Sequence, residues 1–320
     1  MKIKILVITL VIMTMIASLS KAQGPVSIKR PHITGVAHIA LYVKNIENTR
    51  QFYKDFLGYA EPYSLMNKDG NTLALTFIKI NDRQVIELFP EKTPEANRLY
   101  HFALETDDAE GMRLYLASKG FNVPAQTPKG RTGNLNYFVT DPNGTICEIV
   151  QYGKEGNTMK NMGKDNPSTR ISKRMSHVGF MVPDLDKATK FYCDVLGFKE
   201  TWRGSADGKN VSWVNLKVPE GNDYIELMLY DKEPSLSRKG SMNHICLEVD
   251  NVPATLNKLK ERTLPVGCQM PAESKTGKNM KRQINCFDGD GTRVEIMEAI
   301  TTDGKPVPSS TATPLKFEAN

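Results

Sequence analysis

The sequence of 320 residues contains two copies of one pattern, and this duplication constrains the fold more than any other feature. The segment VAHIALYVKNIENTRQFYKDFLGY at 36–59 has the counterpart MSHVGFMVPDLDKATKFYCDVLGF at 175–198. Near the end of each copy, DPNGTICEIV at 141–150 corresponds to DGDGTRVEIM at 288–297. Because similar segments recur in the same order, we predict two modules of one fold. We place them at 34–152 and 173–301, joined by a linker at 153–172.

Each copy is itself built from two similar halves. Alternating and helical periodicities over 36–90 predict a strand, a helix that ends at Gly58, and further strands. The same order of patterns returns over 101–151 and twice more in the second copy. The sequence therefore predicts an α+β fold of four β-α-β-β-β units, arranged as two pairs.

Both ends of the chain are expected to lie outside the modules. Residues 1–22 have the layout of a signal peptide, with Lys2 and Lys4 before an apolar run and small residues up to Ala22. The run is shorter than the ~20 residues of a membrane span. We therefore expect a secreted or periplasmic protein with no membrane association after cleavage. The tail at 302–320 lacks periodicity, and we expect it to be mobile or laid along the surface.

Composition narrows the classes of partner. The formal charge of +6 would fall to +3 when the three lysines of the signal segment are removed, and no basic block is present. Nucleic-acid binding is therefore not expected. Five cysteines without a CxxC pair give no support for a cysteine zinc site, and we interpret most of them as small buried apolar residues. We expect a monomer or homodimer that acts on a small molecule.

Histidine and glutamate recur at equivalent positions of the four units. A histidine begins the first strand of each unit, and a glutamate lies in a later strand: His38, His101, His177 and His244, with Glu87, Glu148, Glu226 and Glu295. Side chains two residues apart share one face of a strand. The alternate residues after His38 are apolar and are expected to pack on the helix, as are the residues on either side of Glu87, Glu148 and Glu295. All eight ionisable side chains are thus predicted on the opposite face, around which the sheet curls.

Imidazoles and carboxylates that meet on an inner face favour a divalent metal, since a buried carboxylate needs a cation. Mixed nitrogen and oxygen ligands suit zinc, nickel, manganese, cobalt or iron. A single strand histidine is usually structural, and a single strand glutamate is usually solvated. The repetition of the set favours ligands, although duplication copies ancestral residues and the second set is not independent.

These residues resemble the vicinal oxygen chelate superfamily, which includes glyoxalase I, methylmalonyl-CoA epimerase, extradiol dioxygenases and bleomycin- or fosfomycin-resistance proteins. The opening segments, the mid-module Glu and His, and the closing segments carry the resemblance over nearly all of both modules. It implies two cup-shaped mixed sheets with the helices packed outside. It also implies two metal sites: His38, Glu87, His101 and Glu148, with His177, Glu226, His244 and Glu295. If the halves exchange partners, the sites become His38 and Glu87 with His244 and Glu295, and His177 and Glu226 with His101 and Glu148.

The resemblance implies a metal-dependent lyase or isomerase of the glyoxalase or epimerase type, acting on a small substrate with vicinal oxygens. Glu148 or Glu295 would remove a carbon-bound proton while the metal holds the enediolate. An extradiol-type iron dioxygenase is an alternative. Such enzymes have two His and one Glu with another His before the final turn, whereas 129–140 and 276–287 contain none. A non-catalytic small-molecule binding protein is a third possibility. Export argues against glutathione or coenzyme A substrates.

Overall fold

The computed structural model describes residues 28–93 and 97–317, so the predicted signal peptide lies outside the described residues. The elements of the first module are β1 (Ile33–Val43), α1 (Ile46–Arg50, continued by a π-helical segment Gln51–Phe56), β2 (Ala60–Met66), β3 (Leu73–Lys79), β4 (Val85–Pro90), β5 (Leu99–Thr106), α2 (Ala109–Ser118), β6 (Leu135–Thr140) and β7 (Ile146–Gln151). The connecting segment contains α3 (Asn157–Lys160).

The second module repeats this order and contains three further short elements, at Asn210–Val211, Leu236–Met242 and Lys275–Thr276. Its elements are β8 (Arg174–Val182), α4 (Leu185–Thr189, continued by a π-helical segment Lys190–Val195), β9 (Lys199–Gly204), β10 (Asn210–Val211), β11 (Trp213–Lys217), β12 (Tyr224–Leu229), α5 (Leu236–Met242), β13 (His244–Val249), α6 (Val252–Lys260), β14 (Lys275–Thr276), β15 (Lys281–Phe287) and β16 (Arg293–Thr301). In the tail, β17 (Thr313–Pro314) pairs with β10, so this part of the tail lies along the second module.

Each module forms one curled mixed sheet, which confirms the predicted α+β class. The strand order is β2-β3-β4-β1-β5-β7-β6 in the first sheet and β14-β15-β16-β13-β8-β12-β11-β9 in the second. In both sheets the two first strands of the units lie antiparallel at the centre, and each is flanked by the last strand of its own unit in parallel. One unit departs from the prediction, because an isolated bridge between Lys129 and Leu135 replaces one strand of the second unit.

The helix-facing sides of the two sheets share a single core. In β1, the alternating residues Ile39, Leu41 and Val43 are fully buried, as the periodicity predicted. Phe102 of the first module stacks on Phe180 of the second with ring centroids 5.0 Å apart. Buried residues of both modules therefore form one continuous apolar cluster, which joins the two halves through their convex faces.

The predicted first helix continues beyond one α-helical turn in a wider form. The amide of Leu57 donates to the carbonyl of Phe52 at 2.9 Å, five residues back, and Leu196 does the same with Phe191 at 3.0 Å. This wider turn is uncommon, and short π segments often interrupt α-helices. Gly58 follows at φ +85°, a left-handed conformation that glycine adopts without strain. None of the helices within 28–93 and 97–317 is long and apolar enough to cross a membrane.

Candidate metal centre

Four central strands of each sheet carry the predicted ligands to one place. In the first sheet, β4, β1, β5 and β7 are adjacent and carry Glu87, His38, His101 and Glu148. Ala40 is the register partner of both Glu87 and His101. Residues opposite each other on neighbouring strands project to the same side of a sheet. The strand order therefore gathers the four side chains on the concave face.

The first tetrad is compact; His38, His101 and Glu148 are buried and Glu87 is half-buried. The Nε2 atoms of His38 and His101 lie 3.1 Å apart. Glu148 approaches them at 3.4 and 3.0 Å, and Glu87 lies 3.8 Å from each. Two nitrogen ligands ~2.1 Å from one ion at a right angle would be about 3.0 Å apart. The ligand atoms of His38, Glu87 and His101 lie within 4.8 Å of one another, so this donor set and its spacing fit a divalent ion, with Glu148 beside both imidazoles.

In the first tetrad, burial and the opposite charges of the imidazoles and carboxylates shift the pKa values of the side chains. Burial alone would lower the pKa of His38, but Glu87 and Glu148 outweigh it and raise this pKa to about 9. Burial would raise the pKa of Glu148, yet His38 and His101 lower it to about 2. Burial dominates at Glu87 and raises its pKa. In the metal-free site a proton on His38 therefore supplies positive charge at neutral pH.

The second tetrad has the same arrangement on β12, β8, β13 and β16 but is less complete. The Nε2 atoms of His177 and His244 are again 3.1 Å apart. Glu295 lies 3.4 Å from His177 and 3.6 Å from His244, while Glu226 lies 3.7 Å from His244. Among the described ion pairs, none within 4.0 Å joins Glu226 to His177. Three of the four His–Glu contacts of the first tetrad are therefore present.

In the second tetrad, the nearby guanidinium of Arg293 contributes to the pKa shifts. Burial and the nearby Arg293 lower the pKa of His244 to about 4. Burial would raise the pKa of Glu295, but hydrogen bonds with His177 and His244 hold it well below its usual range. Burial raises the pKa of Glu226. Sequence reasoning did not single out Arg293, although the equivalent motifs GTICE and GTRVE differ at this position.

The structure distinguishes the two arrangements of ligands that the sequence left open. The closely grouped ligand atoms belong to a single module in each case: those of His38, Glu87 and His101 lie on the first sheet, and those of His177, His244 and Glu295 on the second. Within the described part of the chain, no ion pair joins a histidine of one module to a glutamate of the other among the eight predicted ligands. The exchange of partners between halves is therefore not what this chain adopts.

The two cavities differ in their walls. The first has about 200 Å³ and is lined by both carboxylates of its tetrad and by aromatic rings: Tyr63, Phe77, Phe89, Tyr100, Phe138 and Tyr152. The second has about 490 Å³ and is more polar, with Trp202, Trp213, Lys275, Lys278, Gln283 and Arg293. A larger cleft of about 660 Å³ lies between the modules, but its walls include none of the eight predicted ligands. The aromatic residues were not identified from the sequence, because they come from strands far apart in the chain.

The remaining histidine and the cysteines lie outside both tetrads. His32 pairs with Asp107 at the surface. Four of the five cysteines are buried, the fifth is half-buried, and all five are free thiols in the described chain. Burial raises the pKa of Cys147 and Cys246 well above the usual range. This agrees with the interpretation of most cysteines as small apolar core residues.

Comparison with known proteins gives enzymes of several related types. Mouse methylmalonyl-CoA epimerase is 32% identical over 161 residues, which cover 47% of this chain and 86% of the epimerase. Lactoylglutathione lyase of Schizosaccharomyces pombe is 24% identical over 277 residues, covering 78% of this chain and 84% of the lyase. The first match spans about one module, and the second extends over both.

Solved structures show the same fold. The Mn(II)-bound glyoxalase from Novosphingobium aromaticivorans has a TM-score of 0.64 at 17% identity, covering 90% of this chain and 89% of its own. The 2,3-dioxygenase LapB from a Pseudomonas species has a TM-score of 0.64 at 19% identity, covering 90% and 98%.

The sequence model of one family matches both modules, at residues 35–149 and 174–296. These two segments include all eight residues of the tetrads. The chain therefore belongs to the Glyoxalase/Bleomycin resistance protein/Dioxygenase superfamily, with one family module in each half.

Proposed function

We propose that this protein is a metal-dependent lyase or isomerase whose active centre is the first tetrad. The observation that carries the proposal is the buried pair His38 and His101, whose Nε2 atoms face the buried carboxylate of Glu148 and the half-buried carboxylate of Glu87 in an aromatic cavity of about 200 Å³. Water-excluding walls strengthen electrostatic interactions at such a centre. The cavity volume limits the reacting part of the substrate to a small molecule or group.

The chain's own residues account for a proton transfer. A bound divalent ion, held by His38, His101, Glu87 and Glu148, would supply Lewis acidity to a substrate carbonyl. Glu148 is the proposed base, because its carboxylate contacts both imidazoles at the centre of the tetrad. It takes the proton from the neighbouring carbon, the electron pair of the C–H bond stays with the substrate, and the same carboxyl group returns the proton. Glu295 has the equivalent position in the second module.

The reaction class is tested by hydrogen exchange. Small hydroxyketones and the hemithioacetal of methylglyoxal with a simple thiol would be incubated in D₂O with Mn²⁺-loaded protein, and carbon-bound deuterium followed by NMR. We expect exchange with at least one of these substrates, and its loss on chelation. Exchange no faster than that of the metal-free protein would contradict the proposal. Oxygen uptake with a catechol and ferrous iron would indicate a dioxygenase, and saturable binding without turnover a binding protein.

The role of Glu148 is tested by two matched variants. Glu148→Gln keeps an oxygen that can bind a metal but cannot accept the proton, so we expect metal content to persist and the exchange rate to fall ~100-fold or more. Glu87→Gln is the control and is expected to retain substantially more turnover. Metal content and exchange rate would be measured on the same samples. Loss of activity confined to Glu87→Gln would assign the base to Glu87 instead.

The proposal places the enzyme outside the cytoplasm. It rests on the signal-like residues 1–22, and it agrees with a substrate other than a cytosolic glutathione or coenzyme A thioester. N-terminal sequencing of protein from cell fractions tests it. We expect a mature chain that begins after Ala22 in the exported fraction. An intact N-terminus in the cytosolic fraction would contradict this part of the proposal.

A further inference from the structure

The two copies differ in sequence at one position that contacts the second tetrad. β7 begins with Ile146, whereas the equivalent residue of β16 is Arg293. In the parallel pairing of β13 with β16, Arg293 is the register partner of His244. An aliphatic side chain in one module is thus replaced by a permanent cation beside a predicted ligand in the other.

Arg293 engages the outer nitrogen of that ligand. Its Nη2 atom donates to the carbonyl of Met242 at 3.0 Å and also forms a hydrogen bond with Nδ1 of His244. A guanidinium has donors only, so Nδ1 must accept. In neutral His244 the proton is then on Nε2, the nitrogen that faces the tetrad. A protonated nitrogen has no lone pair for a metal.

A ligand histidine needs the opposite tautomer. Metal-bound imidazoles usually donate the N–H of their other ring nitrogen to a carbonyl or carboxylate. The carbonyl of Met242, 2.9 Å from Nδ1, could serve His244 in this way. However, Arg293 donates to the same carbonyl, and an N–H on Nδ1 would face the N–H of the guanidinium. In the first module, Ile146 offers no such donor to His101.

The charges point in the same direction. Arg293 shares a cavity with Glu226 and Glu295, so its guanidinium offsets part of the negative charge that would attract a divalent ion. Among the described ion pairs, none joins Glu226 to His177, whereas its counterpart Glu87 pairs with His38. The first tetrad has no arginine or lysine within hydrogen-bond distance among the described contacts of its four residues.

We infer that Arg293 disables the second tetrad as a metal site, so that the chain binds one divalent ion tightly, in the first module. In the second tetrad, the guanidinium of Arg293 supplies the positive charge in place of a metal ion. The inference rests on the proposed function only in taking the first tetrad as the metal site.

Reciprocal substitutions test it with metal content as the readout. Protein is loaded with excess Mn²⁺ and desalted, and bound manganese is measured by mass spectrometry and electron paramagnetic resonance. We expect one ion per wild-type chain, none after His38→Gln, and one after His244→Gln. Arg293→Ile, which installs the residue of the first module, is expected to bind two ions, with a ~10–100-fold gain in affinity at the second site. Ile146→Arg is expected to lose the ion of the first site.

The outcomes separate the inference from the proposed function. Two tightly bound ions in the wild type, or only one in a folded Arg293→Ile variant, would overturn the inference. No ion in the wild type but one in Arg293→Ile would uphold the effect of Arg293 while contradicting the active centre in the first module.

A measurement on the wild type does not depend on any variant folding. Nitrogen-15 NMR of the histidine rings is expected to show His244 protonated at Nε2. Protonation at Nδ1 alone would overturn the inference.

Discussion

At the scale of single residues, the first tetrad is stabilised by a proton when no metal is bound. His38, with a pKa raised to about 9, and Glu148, with a pKa lowered to about 2, form a charged pair between these two values. A metal must displace the proton, because only a deprotonated imidazole nitrogen can bind it. Metal binding and protonation of His38 are therefore competing events.

Mn²⁺ binding to the metal-free protein is accordingly expected to release close to one proton per ion at pH 7. The apparent dissociation constant should fall about tenfold for each pH unit up to about 9, where His38 becomes neutral by itself. Calorimetric titrations in two buffers with different heats of ionisation measure this release. A binding heat that does not depend on the buffer would contradict it. The control variant His38→Gln should show much weaker binding.

Two equivalent tyrosines differ in their partners across the module boundary. The hydroxyl of Tyr192 donates to Asp141 at 2.9 Å, whereas the hydroxyl of Tyr53 is buried without a partner in the described structure. Tyr192→Phe is expected to lower the free energy of unfolding by about 1–3 kcal/mol, because it leaves a buried carboxylate oxygen unpaired. Tyr53→Phe should cost much less. Denaturant unfolding of both variants compares them, and equal losses would show that the hydrogen bond is not the cause.

At the scale of elements, the central strands need a small residue between their ligands. An added Cβ on Gly179 would lie 2.0 Å from Cε1 of His244, while Ala40 occupies the equivalent place in β1. The ring of His244 thus occupies the space above Gly179, whereas in the first module the methyl group of Ala40 fills the equivalent space.

Gly179→Ala is therefore expected to displace the ring of His244 and to lower the free energy of unfolding by about 1–3 kcal/mol. The reverse change, Ala40→Gly, creates no clash and should cost about 0.5–1 kcal/mol through backbone entropy. Urea unfolding gives both values, and the ring resonances of His244 report its displacement. Unchanged resonances in Gly179→Ala would show that the close approach is relieved elsewhere.

Prediction from sequence succeeded where the signal is local. Strand alternation placed His38 and Glu87 opposite the helix-facing residues, and the structure puts them there. The π-helical second half of the first helix was not predicted, since its apolar spacing also fits an α-helix. The choice between ligand arrangements depended on which strands pair, and periodicity along one strand does not determine that. Arg293 could have been found by comparing the two copies residue by residue.

At the scale of the whole molecule, Gln84 connects the modules through buried hydrogen bonds. Its Nε2 donates to the carbonyls of Val36 and Met175 at 3.2 and 2.9 Å, and its Oε1 accepts from the amide of Met175 at 2.9 Å. Together with the shared core, these bonds predict that the modules unfold as one unit.

Gln84→Ala is expected to lower the free energy of unfolding by about 2 kcal/mol, because it leaves buried backbone groups unpaired. Both tryptophans, Trp202 and Trp213, belong to the second module, so their fluorescence reports on that half alone. The fluorescence transition should shift together with the far-UV circular dichroism of the whole chain. Gln51→Ala, on an exposed helical position, is the control. A fluorescence transition that stays in place would show that the modules unfold separately.

The segment between the modules also forms part of the first cavity. Thr158 lines that cavity, and the amide of Asn157 donates to the carbonyl of Thr132, another lining residue, at 2.8 Å. After the second module, the tail instead runs along β10. The first cavity is thus partly lined by the connecting segment, because the first module is followed by another module in the chain. In a recombinant protein with the order of the two modules reversed, the connecting segment would lie beside the cavity of the other module, even if every side chain of both cavities were unchanged.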